Sequence, residues 1–464
     1  MDIALSMKKI ASVFKKQGLR KLLHRFEVNR AVFFGILTQI WSLIAGPVTA
    51  LLVILKFNPE YQGYYYTFGS LLALQIFVIL GFGTVIIQFA SHEWSKLKID
   101  NYGGITGDKE AFSRLVSLAN ITSKWFLVGG AIIALCLGLA GYLFFIKSSV
   151  NYVNWALPWF FLCFFTGITV CLIPVWSILE GCNQVATLYT YRLFQGIVAS
   201  LSIWIAIFSG AKLWSASISV VATLLCAILF IKYKYWNFVK VLFFTKPSSS
   251  CIDWTKEIFP MQWRIATSWI CGYFISSFFT PVIFHYHGPV VAGQFGMTWS
   301  LLYVISAIAG SWLSPNAPKF GILIAKKRYA ELDVLFFRLT KIFMFITILS
   351  AVMIWVAVYL LNKLNHPFAT RMLPVFPTTL FLIAQLIVML STPFSVYMRA
   401  HKKEPLLFVS IAVGVSTALV TFVLGKYSVI AIGFGYLTIN VVLVPFIFLI
   451  WYRCRIIWHS EPGI

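Results

Sequence analysis

PEYQGYYYTFGSLLALQIFVILGFGTVIIQFASHE, residues 59–93, opens on a glycine among tyrosines, runs apolar through its middle and closes on His92 and Glu93. As a helix it is long enough to cross a hydrocarbon layer of about 30 Å. Comparable runs recur along the chain, which is 60% hydrophobic, 17% aromatic and 11% charged. An ordinary soluble domain carries about 25% charged residues. So many helices that are apolar all round cannot be hidden in a soluble core. The expectation is an all-α polytopic membrane protein.

Hydropathy places twelve spans, near 31–55, 63–90, 123–146, 154–178, 190–210, 213–231, 259–284, 290–314, 335–361, 373–395, 405–424 and 427–451. With the N terminus in the cytoplasm, 31 of the 37 Lys and Arg fall inside. Only Lys56, Lys147, Lys212, Lys363, Arg371 and Lys426 fall outside. That asymmetry is the positive-inside pattern. It accounts for the +23 net charge without nucleic acid, which is not expected as a partner. The basic start, with a first apolar run too long for a leader and without a small-residue cleavage site, argues against a cleavable signal peptide. The eight cysteines form no CxxC pair, so neither a disulfide framework nor a zinc site is indicated. No cofactor is expected.

A faint copy of the opening stretch, GQFGMTWSLLYVISAIAG, starts at Gly293. Gly63 aligns with Gly293, and Ser70-Leu71-Leu72 with Ser300-Leu301-Leu302, at an offset of 230. A weaker echo pairs Pro174–Gly181 with Pro393–Ala400. The expected organisation follows: a basic amphipathic N-terminal helix (1–30), an N-lobe of spans one to six (31–231), a cytoplasmic linker (232–258), a C-lobe of spans seven to twelve (259–452) and a tail (453–464). Two parallel six-helix repeats suggest alternating access, with substrate held between the lobes. By span count alone the major facilitator fold fits as well.

Glu60-Tyr-Gln-Gly63 with its tyrosines, Gly81-Phe-Gly83 and Gln88-Phe-Ala90 resemble the first hairpin of bacterial polysaccharide flippases. Ile178-Leu-Glu-Gly181 is similar to a glycine-containing turn of that family. These belong to the multidrug/oligosaccharidyl-lipid/polysaccharide exporter superfamily. The resemblance implies a V-shaped pair of lobes and a central cavity that is often cationic. It also implies an undecaprenyl-diphosphate-linked oligosaccharide as cargo, a gap for the lipid tail between spans one and eight, and an inner-membrane location. Membrane lipids and the assembly proteins of a surface-glycan pathway, a polymerase among them, are the implied partners.

The residues bear on the cargo independently. None of the 14 acidic residues lies near the middle of a span. A cation-coupled drug exporter usually needs such a carboxylate, whereas a diphosphate needs fixed cations and donors. Arg264, about two turns inside span seven, is the clearest intramembrane cation; it either faces the cavity or snorkels to headgroups. Gln39, Gln75 and Gln385 lie near span middles, where they serve as sugar ligands or interhelical bonds. Trp41 and Trp269 are deep enough to stack on sugar rings. Arg192 and Arg399 stand at the inner mouth. His285 and His287 read as an exposed, inert pair. The rival functions are a multidrug or metabolite exporter and, with less support, a glycan polymerase or glycosyltransferase. An enzyme of that kind would need paired acids outside, and only Glu60 lies there.

Overall fold

The computed structural model describes residues 30–99, 104–147, 152–248, 251–313, 316–401 and 405–460. The expected amphipathic helix over 1–30 therefore lies almost wholly outside the described residues. The face bearing most Lys and Arg is called the basic face below, and the opposite one the sparse face.

The N-terminal half contains α1 (Arg30–Lys56), α2 (Pro59–Leu72), α3 (Ile76–Ile79) and α4 (Phe82–Trp94). A small hairpin follows, β1 (Leu97–Ile99) antiparallel to β2 (Ile105–Gly107), with Lys98 opposite Thr106. Then come α5 (Lys109–Ile132), which passes through a π-helical turn into α6 (Gly138–Ile146), α7 (Ala156–Cys171), α8 (Ile173–Gly181), α9 (Val185–Phe208), α10 (Trp214–Phe230) and α11 (Trp236–Phe243). The C-terminal half contains α12 (Phe259–Ser276), α13 (Phe279–Leu313), α14 (Ala317–Ala325), α15 (Tyr329–Lys363), α16 (Val375–Ala400), α17 (Leu407–Leu424) and α18 (Val429–Ser460).

Among the described residues, ten helical runs are long and apolar enough to cross a membrane, and the bent pair Pro59–Ile79 and Phe82–Trp94 makes an eleventh. One of the ten, Trp254–Leu313, has 60 residues. At 1.5 Å per residue it would reach about 90 Å if straight, roughly three times the hydrocarbon thickness. It is instead broken at Gly288 (φ 81°, ψ 177°), with Pro289 restarting the helix. The break falls between the seventh and eighth spans that hydropathy suggests, 259–284 and 290–314. Side chains such as Ile205 and Leu419 are 68% and 61% exposed on the outside of these helices, as lipid-facing positions must be.

His287 is not the inert residue that the sequence suggests. Its Nε2 lies 2.8 Å from the Gly425 carbonyl oxygen, so it ties the Gly288 break within α13 to the α17–α18 turn. The two lie far apart in sequence, and the contact exists only in the folded lobe.

The second crossing is broken rather than continuous. Leu80 and Gly81 are both left-handed (φ 49° and 65°), and the arms meet at 41°. A break in a membrane-spanning helix frees carbonyls that need new partners. Here side chains supply the donors. Trp125 Nε1 donates to the Val78 carbonyl at 3.1 Å and Gln262 Nε2 to that of Leu80 at 2.8 Å.

One buried cluster runs through both halves, joining Phe68, Phe145 and Trp159 to Phe279, Phe295, Phe381 and Tyr436. A second belongs to the C-terminal half alone and gathers at its basic end around Phe320, Phe336, Tyr397 and Trp451. The lobes thus share a core toward the sparse face, while near the basic face the second lobe keeps its own.

Candidate functional site

The contact between the lobes starts at the two repeat copies. α2 packs along α13, and the glycines of the copies meet there. A Cβ on Gly63 would lie 1.9 Å from the Pro289 carbonyl oxygen, and one on Gly293 would lie 2.9 Å from the Gly63 nitrogen. Backbones this close tolerate only glycine. Gln62, buried beside them, donates through Nε2 to the carbonyls of Gly293 and Arg371, both at 2.9 Å. One turn on, a Cβ on Gly296 would lie 2.5 Å from the Tyr66 Cβ, and the Tyr66 hydroxyl reaches the Met297 sulfur at 3.0 Å. Arg371 lies in the turn between α15 and α16. Burial lowers its guanidinium pKa, while the charge of Glu60 opposes that shift.

Toward the basic face the same stripes separate. On α1, Ala50 and Ile54 are buried in a cluster with Met297, against which Tyr66 packs. Gln39 precedes Ala50 by about three helical turns, so it lies on the same face of α1. Gln39 is exposed, as is Gly46 between them, and a Cβ on Gly46 would meet nothing within 4 Å. On α2, Gly69 is exposed and equally open. On α13, Tyr303 is 51% exposed, and Gly310 has open space beside it. Gln39, Gly46, Gly69 and Gly310 thus stand in open surroundings on the basic-face side of the α2–α13 contact.

The opposite edge stays closed. Trp269 and Ile265 of α12 cover Gly81 at the break of the second crossing, where a Cβ would lie 2.5 Å from Ile265 Cγ2 and 2.9 Å from Trp269 Nε1. At the basic end, Arg114 Nε donates to Glu93 at 2.8 Å and its Nη2 to Glu257 at 2.5 Å. The segment before α12 also lies on α5. Ser113 and Ser117 accept from the amides of Ser248 and Ile252, and Asn120 donates to the Thr245 carbonyl.

The expected site residues separate into groups. Arg264 is exposed, its guanidinium 5.7 Å from the Trp263 ring centroid. One turn on, on the same face, Ser268 lines a small crevice with Arg399, Ser395 and Ser410. Arg264 and Arg399 thus belong to one flank of the second lobe, and among the described residues neither has a carboxylate partner. Arg192 is different. It pairs with Glu180 at 2.6 Å and lies over Tyr189, so its charge is locally balanced. Gln385 donates to Ser306 at 2.8 Å, and Trp41 Nε1 to Ser200 at 3.2 Å; both join helices within one lobe. Gln75 ends the 3₁₀ turn Ala73–Gln75 and is half-buried. Sequence reading gave Gln62 no role and took Glu93 only as the end of a span. Both are buried polar groups at the ends of one crossing, and their clue was a polar residue beside a repeated glycine or at the end of an apolar run.

No protein-family model and no curated protein matches the chain significantly. Solved structures do match. One, titled "Lipid II flippase MurJ, inward closed conformation", is 14% identical with a TM-score of 0.61, covering 90% of this chain and 87% of that one. The MATE multidrug transporter DinF-BH, solved as a complex, is 12% identical with a TM-score of 0.59, covering 92% and 95%. An inward-facing multidrug resistance MATE transporter of the MOP superfamily is 14% identical with a TM-score of 0.58, covering 93% and 96%. Matches over nearly the full length of both chains establish that this chain has the two-lobed, all-helical fold of MurJ and the MATE transporters.

Proposed function

We propose that the protein is a flippase that moves a lipid-linked oligosaccharide from the leaflet at its basic face to the opposite leaflet by alternating access. One observation carries this reading: the α2–α13 contact is glycine-tight at the sparse face, while Gly46, Gly69 and Gly310, nearer the basic face, stand in open space. Such an open side admits a polar headgroup while its lipid tail stays in the bilayer. Gln39 on that side, with Arg264 and Arg399 on the second lobe, would replace the hydration of a sugar diphosphate. By the positive-inside rule the basic face is cytoplasmic, which makes the transport outward. An undecaprenyl diphosphate carrier, a bacterial inner membrane and a surface-glycan pathway with its polymerase are the finer parts of the same proposal.

A multidrug or metabolite exporter is the second reading, favoured by the DinF-BH likeness. Against it, Glu93, Glu180 and Asp333 lie at helix ends and are already ion-paired. None is available at mid-membrane to exchange a drug for a proton.

The test is lipid extraction from a strain lacking the protein, followed by mass spectrometry. Accumulated undecaprenyl-diphosphate oligosaccharide, cleared by the wild type and at least about tenfold less by Arg264→Ala at matched expression, is the expected result. A loss of that size corresponds to about 1.4 kcal/mol of differential binding. Absence of accumulation, with surface glycan intact, would sink the flippase reading.

A further inference from the structure

A cleft of about 690 Å³ opens on the flank of the first lobe, outside the gap between the lobes. Phe77, Val78 and Leu80 of the broken crossing form one wall, α5 forms the other, and Trp254 closes an end. The lining is almost wholly apolar. A second cavity of about 440 Å³ adjoins it, and Ile121 and Lys124 line both. This one is more polar than the first, with Ser117, Asn120, Thr245 and Lys246 on its wall. Both volumes lie in the usual range of ligand sites, about 300–1,000 Å³. Lys124 and Lys246 are exposed, and among the described residues neither has a carboxylate partner.

The depth is informative. From Lys124 to Ile146, the end of α6, the helical rise is about 33 Å. That matches the hydrocarbon thickness, about 30 Å, so the Lys124 ammonium stands at the headgroup level of the basic-face leaflet. Trp125 and Trp254 stack beside it with centroids 5.7 Å apart, at the depth where interfacial tryptophans gather. An apolar slot running into the membrane and a dicationic cup at headgroup depth are joined at one lysine.

We propose that this composite cavity is a binding site for one anionic phospholipid, with its phosphate between Lys124 and Lys246 and an acyl chain in the slot against Val78 and Leu80. The site is independent of the transport path. Its occupant would brace the break in the second crossing, because the chain packs against the residues that flank Leu80 and Gly81.

Native mass spectrometry of the purified full-length protein tests it, with phosphatidylglycerol and phosphatidylcholine of matched chains as probes. The wild type is expected to retain one phosphatidylglycerol in preference to phosphatidylcholine. Each of Lys124→Ala and Lys246→Ala weakens retention about fivefold. Val128→Trp, at an exposed slot position with charge unchanged, also abolishes the tight site, whereas Lys240→Ala, outside the cup, leaves it intact. Equal retention of the two lipids by the wild type would overturn the proposal. So would an equal loss in Lys240→Ala, which would reduce the effect to net charge. Preferential capture of a polyprenyl diphosphate over phosphatidylglycerol would overturn it too, since the cup would then belong to the transported lipid.

Discussion

Gly63 and Gly69 lie two turns apart on one helix and invite opposite outcomes. A methyl group at Gly63 has a backbone oxygen 1.9 Å away, which no side chain can vacate. Gly63→Ala should therefore cost about 1–3 kcal/mol by forcing the lobes apart. Gly69→Ala meets open space and should be neutral or slightly stabilising, since alanine is the better helix former. Thermal unfolding midpoints in detergent distinguish them, and equal midpoints would refute the glycine contact. Sequence marked Gly63 through its repeat but did not show which of the two glycines meets a neighbour. What separates them is a neighbour 230 residues away. The same limit applies to Glu93, read from sequence as an exit marker. Its carboxylate is buried against Arg114, so Arg114→Ala leaves a charge unpaired and should cost on the order of 2 kcal/mol. Loss of the partly exposed Glu257 should cost under about 1 kcal/mol.

The broken second crossing shows why some of an element's form is legible and some is not. Gly81 announces a weak point, but the left-handed Leu80 beside it does not, because leucine rarely takes that conformation. The break stands because Trp125 and Gln262, from two other elements, satisfy the carbonyls it frees. Trp125→Phe removes one donor and should destabilise the break by about 1–3 kcal/mol. Amide exchange would then rise around Val78–Phe82, and unchanged exchange there would count against the role of the tryptophan. The approach to α12 is capped differently. Asp253 accepts from the Thr255 hydroxyl at 2.7 Å and from two backbone amides. These bonds, the Thr255 hydroxyl first, lower its carboxyl pKa. A depressed folded pKa means that the cap is fully present above the ordinary carboxylate value and is lost as pH falls through the lowered one. Exchange at Thr255 and Lys256 should therefore rise in acid, and Asp253→Asn should flatten that dependence.

For the whole molecule, hydropathy was enough to give an all-helical, many-span, two-lobed membrane protein, because each span carries its own signal. The asymmetry between the lobe edges was not legible. It depends on a segment before α12 that lies on α5, and on a glycine contact confined to one end. Cross-linking reads that asymmetry directly. In a background without the eight native cysteines, Tyr66→Cys with Gly296→Cys should form a disulfide once the backbones part by about 1 Å, since the Cβ positions lie 2.5 Å apart and a disulfide needs about 3.8 Å. The bridge should hold the sparse face shut and stop transport until it is reduced. Transport that survives the bridge would mean that this contact never opens.

A position that touches its own counterpart lies on the axis relating two copies, as in an isologous dimer. Gly63 and Gly293 are such a pair, so the repeat axis passes between them. In terms of ancestry, the contact has the form expected of two separate six-helix chains before they were joined, and the joining segment is then a later addition. The two halves, co-expressed as chains split at residues 249–250, should therefore still find each other through that glycine face. Gly293→Leu should prevent it, and co-purification of the halves despite that change would argue for a different founding contact.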